Sequence, residues 1–364
     1  MIPVPASRKF QRHSRAHLLW GIVLFAALQL CFQAALIWRK EFRDPFFYYK
    51  AGLLKQRLRT NNRKALTVVM LGSSRTDRAL MGDLAGAYLS GTTESQVTVF
   101  NFGITGAGLV ANRLHLRRLL DEGLRPDLLL IEVLPALLGA DKESLSWESR
   151  WIMGRLSWKE LGEVRNYGFP LSGVRAQRWV RLFTPWYAYR FSIMNDLAPG
   201  WLPLPLRHSP AGLIDASGWN KGKYRISEAD RLLAKKRMRD EFREMLQDFQ
   251  VSERATAALK DTLAECRSAE IPCVIVLMPE GPAFQSRYPS GSWDRIVRLL
   301  EELGREYHTP LINARDWVKE ENFADSHHLL IPGAQQFTAQ LAGHKIIREL
   351  VCCRSAAKSG PGGE

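Results

Sequence analysis

The sequence predicts an α/β protein. It is a three-layer α/β/α sandwich on a parallel five-stranded sheet, with a helical insertion, and one transmembrane helix precedes it. Three observations predict this. Short apolar runs rich in β-branched residues recur and end in turn residues, as strands buried in a parallel sheet do. Helical stretches of crossover length alternate with them. An uncharged apolar stretch over 17–38 is long enough to cross a bilayer.

In chain order, 1–16 is basic, with Arg8, Lys9, Arg12 and Arg15 and no acidic residue. The stretch 17–38 has tryptophan near its start and at its end, where the rings suit a membrane interface, and Gln29 and Gln33 interrupt its apolar run. A cleaved signal peptide is the competing reading. Its apolar core would be shorter and would lead to small residues, whereas Trp38-Arg39-Lys40 follows here, so an uncleaved anchor is expected. The positive excess places the N-terminus in the cytoplasm and the rest of the chain outside it. Residues 39–63 form a basic, aromatic connector (Phe46, Phe47, Tyr48, Tyr49).

The main domain is expected over 64–350. Its first strand, Leu66 to Leu71, ends in Gly72-Ser73-Ser74, and a helix from Asp77 to Leu89 follows. A second strand, Val97 to Asn101, runs into Gly103-Ile104-Thr105-Gly106. An amphipathic helix, Leu109 to Glu122, is closed by Gly123. Leu128 to Leu134 is the third strand. The pattern lapses over 138–225, which holds seven of the eleven tryptophans and reads as a helical, aromatic-rich insertion or a cap over the carboxyl edge. Helices at 227–249 and 252–267 lead to a fourth strand, Cys273 to Met278, which ends at Pro279-Glu280-Gly281. A helix from Trp293 to Tyr307 and a short strand, Pro310 to Asn313, precede a closing helix, Pro332 to Leu350, with proline in its first turn. The architecture is flavodoxin-like. Residues 351–364 read as a disordered tail.

Composition narrows the function classes. A 46% hydrophobic chain of 364 residues can bury a full core, and its +14 charge is spread along the chain. No basic stripe with interleaved aromatics or nucleic-acid module is present, so no nucleic-acid partner is expected. The charge suits a solvated surface, anionic headgroups or an anionic glycan. The five cysteines show no metal spacing, and Cys266 and Cys273 can be buried thiols or a short-loop disulfide.

Two stretches carry chemistry. Ser74 follows the first strand at a helix start, above the carboxyl edge of the sheet, a place suited to a nucleophile and equally to an ordinary tight turn. Asp325 and His328, in Ala324-Asp325-Ser326-His327-His328, precede the closing helix. There His328 would take the serine proton while Asp325 holds its other nitrogen. An ordinary polar loop at the surface, or paired histidines on a metal, is the alternative. No further ligand set is evident, so no metal or cofactor is expected.

LGSSRTDRAL, NFGITGAG and DSHHLLIPGA resemble three of the four blocks of the SGNH (GDSL-like) hydrolases, over about 64–350. The resemblance is greatest to the membrane-anchored bacterial branch whose first block reads Gly-Ser-Ser. It implies an SGNH hydrolase-like fold, Ser74 as nucleophile, and Asp325 and His328 as its partners. It also implies an oxyanion-hole N–H from Gly106, with Gly103 second. The third block departs: its oxyanion asparagine falls near Ala136. The N–H of Ser74, or a group of Arg75 or Asn101, would then substitute, and Arg75 can instead bind an anionic substrate group or pair with an acid. Glu132 and Glu280, at strand ends, either shape the pocket or are simply solvated.

The expected function is an extracytoplasmic serine esterase or O-acyltransferase, held in the inner membrane of a bacterium with its main domain periplasmic. It would act on acyl esters, acetyl foremost, of cell-envelope or exported polysaccharide. A membrane-bound O-acyltransferase would be a fitting partner. The alternatives are an inactive SGNH-fold scaffold in a polysaccharide machine and a lipid-directed esterase.

Overall fold

The computed structural model describes residues 8–60, 65–93, 95–139, 148, 153–169, 183–203, 213–247, 249–251 and 253–359. The start of the basic N-terminus, the end of the connector, the tail beyond 359 and much of the 138–225 insertion lie outside the described residues.

In chain order the elements are α1 (Arg8–Trp38), α2 (Pro45–Thr60), β1 (Leu66–Gly72), α3 (Ser74–Ala79), α4 (Gly82–Ser90), β2 (Val97–Gly103), α5 (Leu109–Asp121) and β3 (Leu128–Val133). Then come α6 (Trp158–Arg165), α7 (Pro185–Leu197), α8 (Glu228–Gln247), α9 (Glu253–Ser268), β4 (Cys273–Leu277), α10 (Ser292–Tyr307), β5 (Leu311–Asn313), α11 (Ile331–Gly343) and α12 (Lys345–Ser359). The chain divides into two compact units, 1–45 with 171–209 and 46–170 with 210–364.

In the first unit, residues 15–36 of α1 are long and apolar enough to cross a membrane. In the second, five parallel strands lie in the order β2-β1-β3-β4-β5. Strand alternation sends two apolar sets to opposite faces. Val68, Met70, Val99, Leu130, Val274 and Ile312 pack with Leu89 of α4, Phe337 and Leu341 of α11 and Ile347 of α12. Val69, Leu71, Phe100, Leu129, Ile131 and Ile275 are buried on the other face, where α5, α9 and α10 lie against one another. The order reverses between β1 and β3, and clefts at the carboxyl ends of such switch points are where open α/β sheets bind ligands.

Four expectations are corrected. The connector contains α2, whose Phe47, Lys50, Ala51 and Leu54 are buried at helical spacing. The helix expected over 77–89 is two helices, because Leu80 and Met81 are extended. Thr338 of α11 repairs the break, accepting from Met81 N at 3.0 Å and donating to Ala79 O at 3.0 Å. The closing helix also breaks, at the extended His344. The tail expected to be disordered from 351 is helical to Ser359, since Val351 is buried and Lys358 reaches Asp127 at 2.8 Å. Cys266 and Cys273 are buried free thiols.

Candidate active site

The turn after β1 is built by close approach. A methyl group on Gly72 would collide with the Thr76 hydroxyl and the Glu132 carboxylate, so only glycine fits there. Ser73 caps α3, its Oγ accepting from Arg75 N at 3.1 Å. Ser74 is thereby the first helical residue, half-buried at the carboxyl edge.

Glu132 holds this turn. Its buried carboxylate accepts from Ser73 N (2.8 Å), Ser73 Oγ (2.7 Å), Thr76 N (3.1 Å) and Thr76 Oγ1 (2.5 Å). Strand-end solvation, one of its two expected roles, is replaced by a clamp across the switch point. Glu132→Gln turns an amide N–H₂ toward groups that need an acceptor. It is expected to lower the unfolding free energy by about 2–3 kcal/mol through unsatisfied buried donors. The serine-labelling rate should also fall, because Ser74 loses its register. Thermal unfolding and the rate of fluorophosphonate labelling check the two effects separately.

Ser74 Oγ lies 2.7 Å from His328 Nε2, and His328 Nδ1 lies 2.7 Å from Asp325 Oδ2. Asp325 Oδ1 also accepts from the backbone N–H of His328 (2.7 Å) and of His327 (3.2 Å). Burial alone would raise the Asp325 pKa, but the two imidazoles and these N–H groups outweigh it and hold the carboxyl well below its ordinary range. An ionised Asp325 can only accept, so the proton sits on Nδ1 and the Nε2 lone pair faces the serine hydroxyl. The loop is shaped for this: Ser326 is left-handed (φ 71°), and Ala324 N donates to His328 O at 2.8 Å.

His327 faces the other oxygen of the same carboxylate, its Nδ1 3.3 Å from Asp325 Oδ1. Its buried ring packs against Phe242 and Phe284 and lies 3.9 Å from the His328 ring. Burial pushes its pKa well down, so it is a neutral wedge behind His328. Asp325, His327 and His328 offer ligand atoms within 4.8 Å of one another. A cation there would displace the proton shared by Nδ1 and Asp325.

Of the oxyanion candidates, the structure leaves two with an unused N–H. Among the described residues, the N–H groups of Ser74 and Gly106 have no internal acceptor. Gly106 is left-handed (φ 80°) in the turn beyond β2. That turn lies beside Ser74 because Gly103 pairs with Gly72 and Ile104 N donates to Gly72 O at 2.9 Å. Three other candidates are corrected. The Gly103 N–H is taken by Asn101 Oδ1 at 2.9 Å. Asn101 Nδ2 is spent on Thr76 O (2.7 Å), Leu80 O (2.8 Å) and Asp77 O (3.2 Å). Arg75, expected at an anionic substrate or a surface acid, is buried. Its guanidinium donates to Met278 O (3.1 Å), Pro279 O (2.9 Å) and Glu280 (3.4 Å), stapling α3 to the end of β4. Glu280 is also buried and binds Arg315 and Tyr288, so strand-end solvation does not describe it either. Ala136 occupies a buried turn with no polar side chain, Pro135–Leu138.

Sequence reasoning missed Lys50. From α2 its buried Nζ donates to Asp77 Oδ1 (2.6 Å), Gly103 O (2.6 Å) and Asn101 O (3.2 Å). Asp77 in turn accepts from Asn220 Nδ2 at 2.8 Å. No local motif marks this lysine; its only signal is the spacing of buried neighbours along α2. Glu148 was missed as well. It accepts from Gly108 N and Ala111 N at the start of α5, and burial pushes its carboxyl up to about 7.

Comparison with known proteins gives three results. A family model without a descriptive name matches residues 222–350, less than half of the chain. No curated protein matches the sequence. Several solved structures are similar at low level. A lipase/acylhydrolase from Enterococcus faecalis is 11% identical with a TM-score of 0.34, covering 78% of this chain and 96% of its own. A mutant of Axe2, an acetyl-xylooligosaccharide esterase from Geobacillus, is 12% identical with a TM-score of 0.35, covering 78% and 94%. An alpha/beta hydrolase enzyme from the metagenome of Lake Arreo, Spain, is 10% identical with a TM-score of 0.34, covering 76% and 94%.

Proposed function

We propose that this protein is a membrane-anchored SGNH-type serine esterase or O-acyltransferase with its catalytic unit outside the cytoplasm. Its substrates would be acyl esters, acetyl foremost, of cell-envelope or exported polysaccharide. The observation that carries the reading is the hydrogen-bonded series Ser74–His328–Asp325 at the sheet's carboxyl edge. The anchor rests on the apolar span 15–36 and the basic residues before it.

In this reading Ser74 Oγ attacks the ester carbonyl and His328 Nε2 takes the hydroxyl proton. The developing oxyanion receives the N–H groups of Ser74 and Gly106. His328 then protonates the leaving alkoxide, and an acyl-serine remains. Water or a sugar hydroxyl, deprotonated by His328, attacks the acyl group and frees Ser74. Exclusion of water from the site decides between hydrolysis and transfer.

The test compares wild type with Ser74→Ala, full length in detergent micelles, for fluorophosphonate labelling and p-nitrophenyl acetate hydrolysis. Labelling and turnover in wild type, both lost in Ser74→Ala, are expected; equal labelling of the two proteins would refute the assignment. A second reading, an inactive SGNH-fold scaffold in a polysaccharide export complex, draws on Ala136 standing where the third block has its oxyanion asparagine. Removing one such donor slows related chemistry by about a hundred- to a thousandfold. A wild type that neither labels nor turns over would favour the scaffold.

A further inference from the structure

In the first unit, α7 packs against α1, and Asp196 near its end pairs with Arg39 at 3.3 Å. Arg39 is the first charged residue after the apolar span, so this pair sets α7 at the level where α1 leaves its apolar stretch. Around α7, six large apolar side chains face outward: Phe183, Trp186, Tyr187, Phe191, Leu197 and Trp201. Trp201 is 82% exposed and Leu197 74%. Trp186, Tyr187, Phe191 and Leu197 of α7 fall on one broad face at helical spacing, with Phe183 just before the helix and Trp201 in the turn after it, so they form a surface and not scattered single residues. Arg190 lies over the Tyr187 ring at 3.8 Å and the Phe191 ring at 4.3 Å, an apolar stem and stacked head of the kind that sits at a headgroup boundary.

We propose that α7 and the Pro199–Trp201 turn after it lie in the headgroup region of the bilayer that α1 crosses. The protein would then grip the membrane by an interfacial aromatic surface as well as by its span. The occupant is phospholipid for two reasons. The surface is continuous with α1, whose own apolar side chains, Leu18 to Leu30, are largely exposed. Its composition of Trp, Tyr and Phe around one Arg is that of an interfacial belt, where amphipathic rings meet both hydrocarbon and water. This inference rests on the anchor reading of α1.

The test places photoreactive p-benzoylphenylalanine at Leu24 in the middle of the span, or at Tyr187 or Phe191 on α7. Each full-length variant is irradiated in vesicles of phosphatidylcholine and phosphatidylglycerol, and the adducts are weighed by mass spectrometry. Phospholipid adducts at all three positions are expected. Adducts at Leu24 with none at Tyr187 or Phe191 overturn the interfacial surface and leave the anchor standing. Cross-links from Tyr187 or Phe191 to a second copy of the chain overturn it in favour of self-association. No lipid adduct at Leu24 overturns the anchor reading itself, and the proposal with it.

Discussion

Asp325→Asn is expected to slow acyl-serine formation by about ten-thousandfold while leaving the fold intact. The amide side chain would still offer its oxygen to the N–H groups of His327 and His328, so the loop keeps its shape. Its other atom would be an amide nitrogen facing His328 Nδ1, where Asp325 Oδ2 now accepts. Two donors cannot face each other, so the imidazole proton moves to Nε2 and points at Ser74. A base that already carries its proton cannot take another. The rate of fluorophosphonate labelling measures the loss, and thermal unfolding should shift little. A rate close to wild type would mean that His328 does not act as the base for Ser74.

Lys50→Met is expected to destabilise the second unit by about 3–5 kcal/mol, because it leaves Asp77 buried without its cation. At roughly 2–4 °C per kcal/mol, the unfolding midpoint should fall by on the order of 10 °C. The carbonyls of Gly103 and Asn101 lose their donor as well, so the turn beyond β2 that bears Gly106 should loosen. Adding Asp77→Asn to Lys50→Met removes the stranded charge and should recover much of the stability. Failure to recover would assign the loss to packing and the two carbonyls. The pH dependence has a defined sign. Burial lowers the Lys50 pKa in spite of Asp77, so between that value and 10.5 the unfolded chain binds more protons. Lys50 therefore makes stability rise with pH across that window, and Lys50→Met should remove the slope. Chemical denaturation across alkaline pH would measure it.

These two residues mark how far the chain can be read without its fold. Asp325 and His328 are three residues apart, so a local pattern names both, and the turn after β1 names Ser74. Lys50 and Asp77 are 27 residues apart, and Glu132 is 59 from Ser73. Nothing in either neighbourhood marks such partners. Arg75 shows a partial reading. Beside Ser74 it reads as an anion binder or as the partner of a surface acid, and the acid it pairs with, Glu280, is 205 residues away and buried with it. Helix boundaries failed for a similar reason. The break between α3 and α4 depends on the Thr338 hydroxyl, which sequence reasoning at Leu80 cannot supply.

The sequence by itself determined the parallel five-stranded sheet, the apolar N-terminal helix and the residues now joined as Ser74, His328 and Asp325. Each follows from local rules: strand and helix periodicity, the glycine turn, and short spacing on one loop. Tertiary structure alone decided which groups surround that series. It withdrew Asn101, Gly103 and Arg75 as candidate oxyanion donors by giving their polar groups buried partners. Among the described residues it left the N–H groups of Ser74 and Gly106 unused, and it brought Glu132 to the turn after β1 and Lys50 to Asp77 and the end of β2. Those outcomes depend on strands adjacent in space and remote in sequence, because a buried polar group must find its partner wherever the fold delivers one.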